Sequence, residues 1–534
     1  MSQIPILSVI ILVPLVGAFG ALALPKYAGW GWSLLVGLVD LGACIWLLTH
    51  FSGAPHGFQF VETQPWVPGL GVSYTLGVDG MSVFLITLNA LLTVIALAAS
   101  WITIRAGDRS REYLALMLLL AAGMQGVFLA TNLLLFYVFW ELMLVPAYLL
   151  VGMFGGTRRG PAAMKFVLFT AVGSLLMLVG MIALGAVVSS TSHTAFNLDL
   201  SALLASGATH LSQNVQILFF LAFFAAFAVK SGMFPFHNWV PDTYVEAPIP
   251  VVVLIAGVMA KTGVYGFVRF SLVLFPAATK LLAPYVGALA VIGILYFALQ
   301  ALVAQDFKRL LAYVSISHVS VIVLGIFALN QQGIEGGVLQ MVNHGLIIAG
   351  LFIVAGYLEL RTGSRRLADF GGLARRTPWL ATAFMMLTLS ALGLPGLNSF
   401  AGEFLAFLGA FRSNPVYGGI ATAVIIPAAW YTLRFFQGIM NGPESEFVAR
   451  LDGGNQRQAG SGTVGLRDAG AGELAVIAPI LALVIILGLV PGLLTSRIEP
   501  SITGALSEYS TASPIVVVDE SVHVRSLISA EQPA

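Results

Sequence analysis

Apolar runs of about twenty residues recur from one end of this chain to the other, and each, as a helix, is long enough to cross roughly 30 Å of hydrocarbon. Nothing constrains the fold more. Inside a bilayer every backbone N–H and C=O must find its partner within the protein, which leaves helices or closed barrels. Barrel strands are short and alternate apolar with polar residues, and these runs do not alternate. Only 9% of the 534 residues are charged and 58% are hydrophobic, against about 25% charged in a typical soluble domain. The sequence therefore reads as an all-α polytopic membrane protein, with its length spent on many helices rather than on several soluble domains.

Fourteen spans are expected, at residues 4–24, 30–50, 77–101, 112–131, 133–154, 163–188, 214–240, 248–275, 281–303, 309–330, 336–360, 378–412, 416–440 and 473–497. The first holds Pro5 and Pro14 and has no basic stretch before it, so it reads as a membrane helix rather than a cleaved leader. Spans 7 and 12 are broken helices, the one at Gly232 and Pro235, the other within LGLPGLNSFAGEF (392–404). Lysine and arginine crowd the loops after spans 3, 5, 9, 11 and 13. These carry Arg105, Arg109 and Arg111; Arg158, Arg159 and Lys165; Lys308 and Arg309; Arg361, Arg365, Arg366, Arg375 and Arg376; and Arg450, Arg457 and Arg467. The loops after spans 2, 4, 6 and 10 carry neither residue. By the positive-inside rule the odd-numbered spans end in the cytoplasm and both termini face outward. Arg269 and Lys280, around the loop after span 8, run against this assignment.

The expected organisation is 1–110 for helices 1–3, 111–275 for a first five-helix repeat, and 276–441 for a second repeat inverted in the membrane. A flexible cytoplasmic loop at 442–472, helix 14 at 473–497 and a polar tail at 498–534 complete the chain. The repeat is inferred from ionisable groups. Glu141 in span 5 is followed by Lys230 in broken span 7, and His318 in span 10 by Glu403 in broken span 12; an odd number of spans between copies inverts the second. The match is imperfect, because Lys230 precedes its break and Glu403 follows its own.

A charge at mid-membrane costs roughly 2.5–3.5 kcal/mol or more, so a chain that keeps one has a partner or a use for it. Lys230 ends the run ILFFLAFFAAFAVK (217–230), and Glu141, flanked by Tyr137 and Tyr148 on one helical face, is its natural counter-ion. At about 4 Å and an effective dielectric near 20 such a pair gains about 4 kcal/mol, and separating the two drives both toward neutrality. It is a proton switch or a static salt bridge that fixes helix packing. Lys261 shares a stripe with Tyr265 and Arg269, which is either the line of a water wire or a lysine snorkelling to the interface. His318 follows Ser315 and Ser317, and His344 lies near Gln340 and Asn343. Histidines titrate near neutrality and relay protons both ways, although satisfied core histidines, or a pair of haem ligands, use the same residues. Glu403 is the terminal group of such a row or an ordinary carboxylate at a helix N-terminus.

The absent motifs bound the chemistry. No Walker A motif, HExxH or dinucleotide glycine fingerprint occurs, and the one cysteine, Cys44, excludes a disulfide framework or a cysteine-held cluster within the chain. No cofactor or metal is therefore expected in this chain, and a net charge of +1 argues against nucleic acid as a partner.

Three blocks carry a specific resemblance. VKSGMFPFHNWVPDTYVEAPIPVVVLIAGVMAKTGVYG (229–266), QDFKRLLAYVSISH (305–318) and LGLPGLNSFAGEF (392–404) resemble, in order, the signatures of the antiporter-like subunits of respiratory complex I and of multisubunit cation/proton antiporters. The likeness covers roughly residues 75–440. It implies proton translocation by a Glu–Lys pair, a central lysine with histidines, and a charged residue on the second broken helix. By motif these are Glu141 and Lys230, Lys261 with His318 and His344, and Glu403. Glutamate rather than lysine at 403, with no long lateral helix after 497, points to the M-type subunits of that family. Tyr244 stands where the family more often has histidine, which puts an uptake role for that position in doubt. The resemblance further implies a bacterial inner membrane and coupling of NADH-to-quinone electron transfer to proton pumping. It implies flavin and iron–sulfur clusters in partner subunits, and L-type and N-type neighbours in the lipid. A subunit of a cation/proton antiporter and a passive scaffold of a redox complex are the competing expectations.

Overall fold

The computed structural model describes residues 5–53, 57–67, 72–104, 107–452 and 466–512. Arg105 and Arg457 of the charge pattern, the middle of the expected loop 442–472 and the tail beyond 512 lie outside the described residues.

The chain opens with α1 (Ile6–Ala23) and α2 (Lys26–His50), then forms a hairpin of β1 (Gln59–Val67) and β2 (Val72–Val78). Helices α3 (Ser82–Thr103), α4 (Ser110–Leu129), α5 (Leu133–Phe154) and α6 (Arg159–Ser192) follow. After them come α7 (Gln213–Ser231), the short α8 (Val240–Glu246), α9 (Ile249–Leu274), α10 (Pro276–Val303) and α11 (Phe307–Ile326). The chain ends with α12 (Gln331–Thr362), α13 (Pro378–Ala391), α14 (Asn398–Ser413), α15 (Pro415–Met440), α16 (Ala471–Leu489) and α17 (Gly492–Ala512). Among the described residues thirteen helices are long and apolar enough to cross a membrane, and α13 with α14 forms the split twelfth span. The chain is a multi-pass membrane protein.

Both breaks sit where the sequence places them. Helix α7 ends because Gly232 adopts φ 71°, a left-handed turn that only glycine takes without strain. Gly393 at φ 75° and Gly396 at φ 91° do the same between α13 and α14. A third irregularity had no counterpart in the expectation: α9 loosens into π-helical turns at Ile255–Met259 and Phe267–Ser271.

The hairpin also departs from a purely helical chain. Neither strand is long enough to register as a span, and expected span 3 begins inside β2 rather than at Ser82. Asp79 Oδ1 starts the helix instead, accepting from the backbone N–H of Met81 (3.1 Å) and Ser82 (2.9 Å). The hairpin supports the first helix as well, since the Glu62 carboxylate accepts from the orphan N–H groups of Leu7 (2.8 Å) and Ser8 (3.0 Å).

The charge exception at Arg269 has a physical explanation. Its guanidinium donates to Asp79 Oδ2 at 2.7 Å and to Tyr265 Oη at 2.9 Å, and Tyr265 Oη donates to Phe128 O at 2.9 Å. A cation neutralised inside the protein does not weigh as a loop charge. The basic loops, in contrast, gather at one end: Asp242 receives Lys165 (2.8 Å) and Arg309 (3.2 Å), and Arg365 donates to Val245 O (3.1 Å). This common end is the basic face.

The expected polar tail begins as structure. Helix α16 stops at Leu489, and α17 carries residues 492–512, burying Ile498 and Ile502. Ser501 Oγ accepts from Gly80 N (2.9 Å) and Glu499 Oε1 from Gln331 Nε2 (3.1 Å), so α17 straps the starts of α3 and α12. The described ends of the loop 442–472 are also tied down, by Arg376 on Glu444 (2.7 Å) and by Arg361 Nε donating to Arg467 O (2.8 Å).

Helices α9 and α12 form the centre, with their most apolar stretches wholly buried, while α1, α2, α15 and α16 lie at the periphery. Backbone meets backbone where α12 crosses α14. A Cβ on Gly336 would collide with Ala406 N and Gly402 O, and one on Gly402 with Gln340. Gly336→Leu is therefore expected to destabilise this crossing by about 1–3 kcal/mol, the usual cost of overpacking, read as a lower thermal-aggregation midpoint of the purified assembly. An unchanged midpoint would show that the crossing yields freely.

Candidate functional site

The geometry begins at the end of α7. Gly232 N and Trp239 Nε1 both donate to Val229 O, and Met233 N donates to Ala228 O, so the break leaves these carbonyls satisfied. Lys230, in the last turn, is 1% exposed, and its Nζ has no hydrogen-bond partner. It lies 5.2 Å from the centroid of the Trp140 ring and 6.0 Å from that of Phe166, so aromatic faces receive the ammonium.

Glu141 does not complete the expected 4 Å ion pair. The carboxylate is near enough for its charge to act on Lys230, yet no salt bridge joins them and its buried Oε1 has no hydrogen-bond partner. The reason is packing: Glu141 stands on a partly exposed edge of α5 beside Tyr137, while Trp140 of the same helix turns toward Lys230.

Lys261 follows the first π-helical turn of α9, is fully buried, and donates to Ala256 O. A π-turn displaces carbonyls from their ordinary partners, which is how an apolar helix can offer a lysine an acceptor. Helix α9 meets α7 at this level, with Gly263 set against Phe227 O and Ser231 N. The expected stripe Lys261–Tyr265–Arg269 is not continuous. Tyr265 and Arg269 bond to Phe128 O and Asp79, away from Lys261.

Beyond Lys261 the groups close up. Lys261 and His318 both act electrostatically on His344, and the rings of His344 and His318 stack at 5.4 Å and 20°. His344 is 2% exposed and neither ring nitrogen has a hydrogen-bond partner. His318 Nδ1 lies 2.8 Å from Glu403 Oε1 but off the N–H direction, so this contact is an ion pair whenever the ring is protonated rather than a formed hydrogen bond. Stacked rings do not oppose each other as two axial haem ligands must. Among the described residues no cluster of three or more potential ligands is placed to hold a metal ion.

Glu403 is held from two helices. Its Oε1 accepts from Gln340 Nε2 (3.0 Å) and Ser399 Oγ (2.9 Å), and Gln340 Nε2 also donates to Ser399 Oγ (2.7 Å). Asn343 Nδ2 donates to Asn398 O (2.7 Å), Asn398 Nδ2 returns to Asn343 Oδ1 (3.2 Å), and Ser390 Oγ donates to Asn398 Oδ1 (2.7 Å). Asn398 and Ser399 escaped the sequence reading because small polar residues after a Gly/Pro break look like ordinary loop. Their signal was position, one turn ahead of Glu403. Asp242, which gathers Lys165 and Arg309, and Glu246, whose Oε2 accepts Arg158 N at 2.8 Å, were missed as partners for the same reason. Tyr244 is buried with its ring edge-on to Phe352 at 5.9 Å.

A bundle of membrane-crossing helices, two of them interrupted, with acids, lysines and histidines strung through its interior, is the architecture of an antiporter-like ion-translocating membrane protein. The family described as NADH:quinone oxidoreductase/Mrp antiporter, TM, matches residues 130–426. Proteins named NADH-quinone oxidoreductase subunit M are 38% identical in Rhodobacter capsulatus, covering 87% of both chains, and 35% identical in Mycobacterium tuberculosis, covering 96% of both. A chain of respiratory complex I from Thermus thermophilus with bound NADH superposes with a TM-score of 0.83 at 31% identity, over 95% of this chain and 99% of that one. The chain belongs to the NADH:quinone oxidoreductase/Mrp antiporter family of transmembrane subunits.

Proposed function

We propose that the chain carries protons through the membrane along the row Glu141, Lys230, Lys261, His344, His318 and Glu403. As a member of its family, with subunit M proteins as its relatives, it is a proton-translocating membrane subunit of an NADH:quinone oxidoreductase. The redox chemistry belongs to the assembly, with flavin and iron–sulfur clusters assigned to partner subunits and L-type and N-type antiporter-like chains as neighbours. The membrane is the bacterial inner membrane, with the basic face toward the cytoplasm and both termini outside. The two five-helix units are inverted repeats.

One observation carries the reading: Lys261, His344, His318 and Glu403 form an electrostatic sequence across α9, α12, α11 and α14, deep between buried helices. The switch lies at the other end. Lys230 has no fixed hydrogen-bond acceptor, so its hold on a proton rests on the aromatic faces and on the approach of Glu141. A signal from quinone reduction that moves Glu141 away sends the proton toward Lys261. The unpartnered nitrogens of Lys230 and His344 are then bridged by water, which buried polar groups require.

Glu403→Gln tests the terminal group. The amide keeps the size of the side chain and a carbonyl to accept from Gln340 and Ser399, but cannot take up a proton. Proton pumping by the intact assembly is expected to fall about a hundredfold, the low end of the range for loss of a positioned acid–base group. Normal pumping with normal assembly would remove Glu403 from the path. The competing assignment to a cation/proton antiporter is decided by purification, since it predicts co-purifying membrane subunits without flavin or iron–sulfur chains.

A further inference from the structure

Two cavities meet at one side chain. The larger, about 620 Å³, opens at the basic face between α10, the start of α11, α15 and the segment after α12, where Gln305, Arg366 and Arg434 supply its polar lining. The smaller, about 30 Å³, lies between α11, α14 and α15 and is lined by Ser317, His318 and Glu403. Tyr431 lines both. It is 3% exposed, and the charge of Glu403 acts on it. Neither cavity includes Lys230 or Lys261.

We infer that Tyr431 is a proton relay between a water-filled inlet on the basic face and Glu403, giving the terminal carboxylate its own supply of protons independent of the Lys230 end. This rests on Glu403 being part of the translocation path. A cavity of about 620 Å³ holds many waters, and one of about 30 Å³ holds roughly one or two. The side chain they share carries a hydroxyl, a group that is both donor and acceptor. A protonated water in the inlet gives its extra proton to the Tyr431 oxygen and is left as neutral water, and the original hydroxyl proton passes, directly or through one water, to the Glu403 carboxylate. One O–H bond forms and one breaks at the tyrosine, one proton moves, and no electrons change hands. Rotation of the hydroxyl restores the starting state.

A sodium ion would have to pass the buried Tyr431 side chain as a whole, whereas a proton crosses by exchange at its hydroxyl.

The test uses the intact assembly in sealed vesicles, with Glu403→Gln as reference. Tyr431→Phe keeps the ring and its packing, and pumping is expected to fall about tenfold, as for loss of roughly one hydrogen bond from the transfer step. Gly438→Cys provides the second arm. Gly438 lines the large cavity away from Glu403, a Cβ there meets nothing within 4 Å, and the only native cysteine of the chain, Cys44, is fully buried. A membrane-impermeant thiol reagent is expected to leave pumping intact from the opposite face and to slow it from the basic face, with the unsubstituted assembly unaffected. Full pumping by Tyr431→Phe, or by the labelled Gly438→Cys assembly, overturns the inlet. Full pumping by Glu403→Gln overturns the underlying path instead.

Discussion

Lys230→Met, assayed in the intact assembly, is expected to lower proton pumping by roughly a hundredfold, the order of loss when a positioned acid–base group is removed. Methionine keeps the length and flexibility of the lysine stem and remains compatible with the rings of Trp140 and Phe166, so the packing around it survives. What disappears is the charge that Glu141 acts on. If Lys230 only fixed helix packing, the same replacement would leave pumping unchanged or would stabilise the assembly, because a buried charge would have been exchanged for an apolar group. Lys230→Arg sharpens the contrast. It keeps the charge but not the ability to release it, since a guanidinium is not deprotonated in proteins, and it should pump as poorly as methionine. Normal pumping by either variant, with the chain present in normal amounts, would dismiss the switch.

The second large effect is on stability. Asp79→Asn or Arg269→Met each leaves one half of a buried pair, with side chains 6% and 8% exposed, and each is expected to cost about 3–5 kcal/mol. The measured result would be loss of the chain from the purified assembly, or a large drop in its thermal midpoint. The double variant Asp79→Leu with Arg269→Met removes both charges and should recover most of that loss, because no uncompensated ion remains. Singles as mild as the double would mean that the pair is already well solvated.

Much of the site was readable before any packing was known. A lysine, histidine or glutamate inside an apolar run is a local signal, expensive enough to stand out without knowledge of its neighbours, and so Lys230, Lys261, His318, His344 and Glu403 could be named from their flanks. The two helix breaks were readable for a related reason. Glycine and proline alter the backbone where they stand, and Gly232, Gly393 and Gly396 do so here. The hairpin was not readable from run length, because its strands are short and its register depends on cross-strand pairs such as Glu62 with Leu76.

Pairing was where local signals failed. Glu141 and Lys230 looked like a salt bridge because each lacked another partner, yet the helical phase of α5 turns Trp140 toward the ammonium. Arg269 looked like a misplaced loop charge until its acceptor appeared in Asp79, 190 residues earlier. Tyr431 had no signal at all, since an aromatic residue in an apolar helix is ordinary until two cavities are found on either side of it. The sequence by itself determined that this chain crosses the membrane many times, where two of its helices break, and which buried groups carry charge, because each follows from the cost of polar groups in hydrocarbon. Only the tertiary structure decided which of those groups touch, because contact between helices far apart in the chain depends on the rotation and depth at which close-packed surfaces interlock.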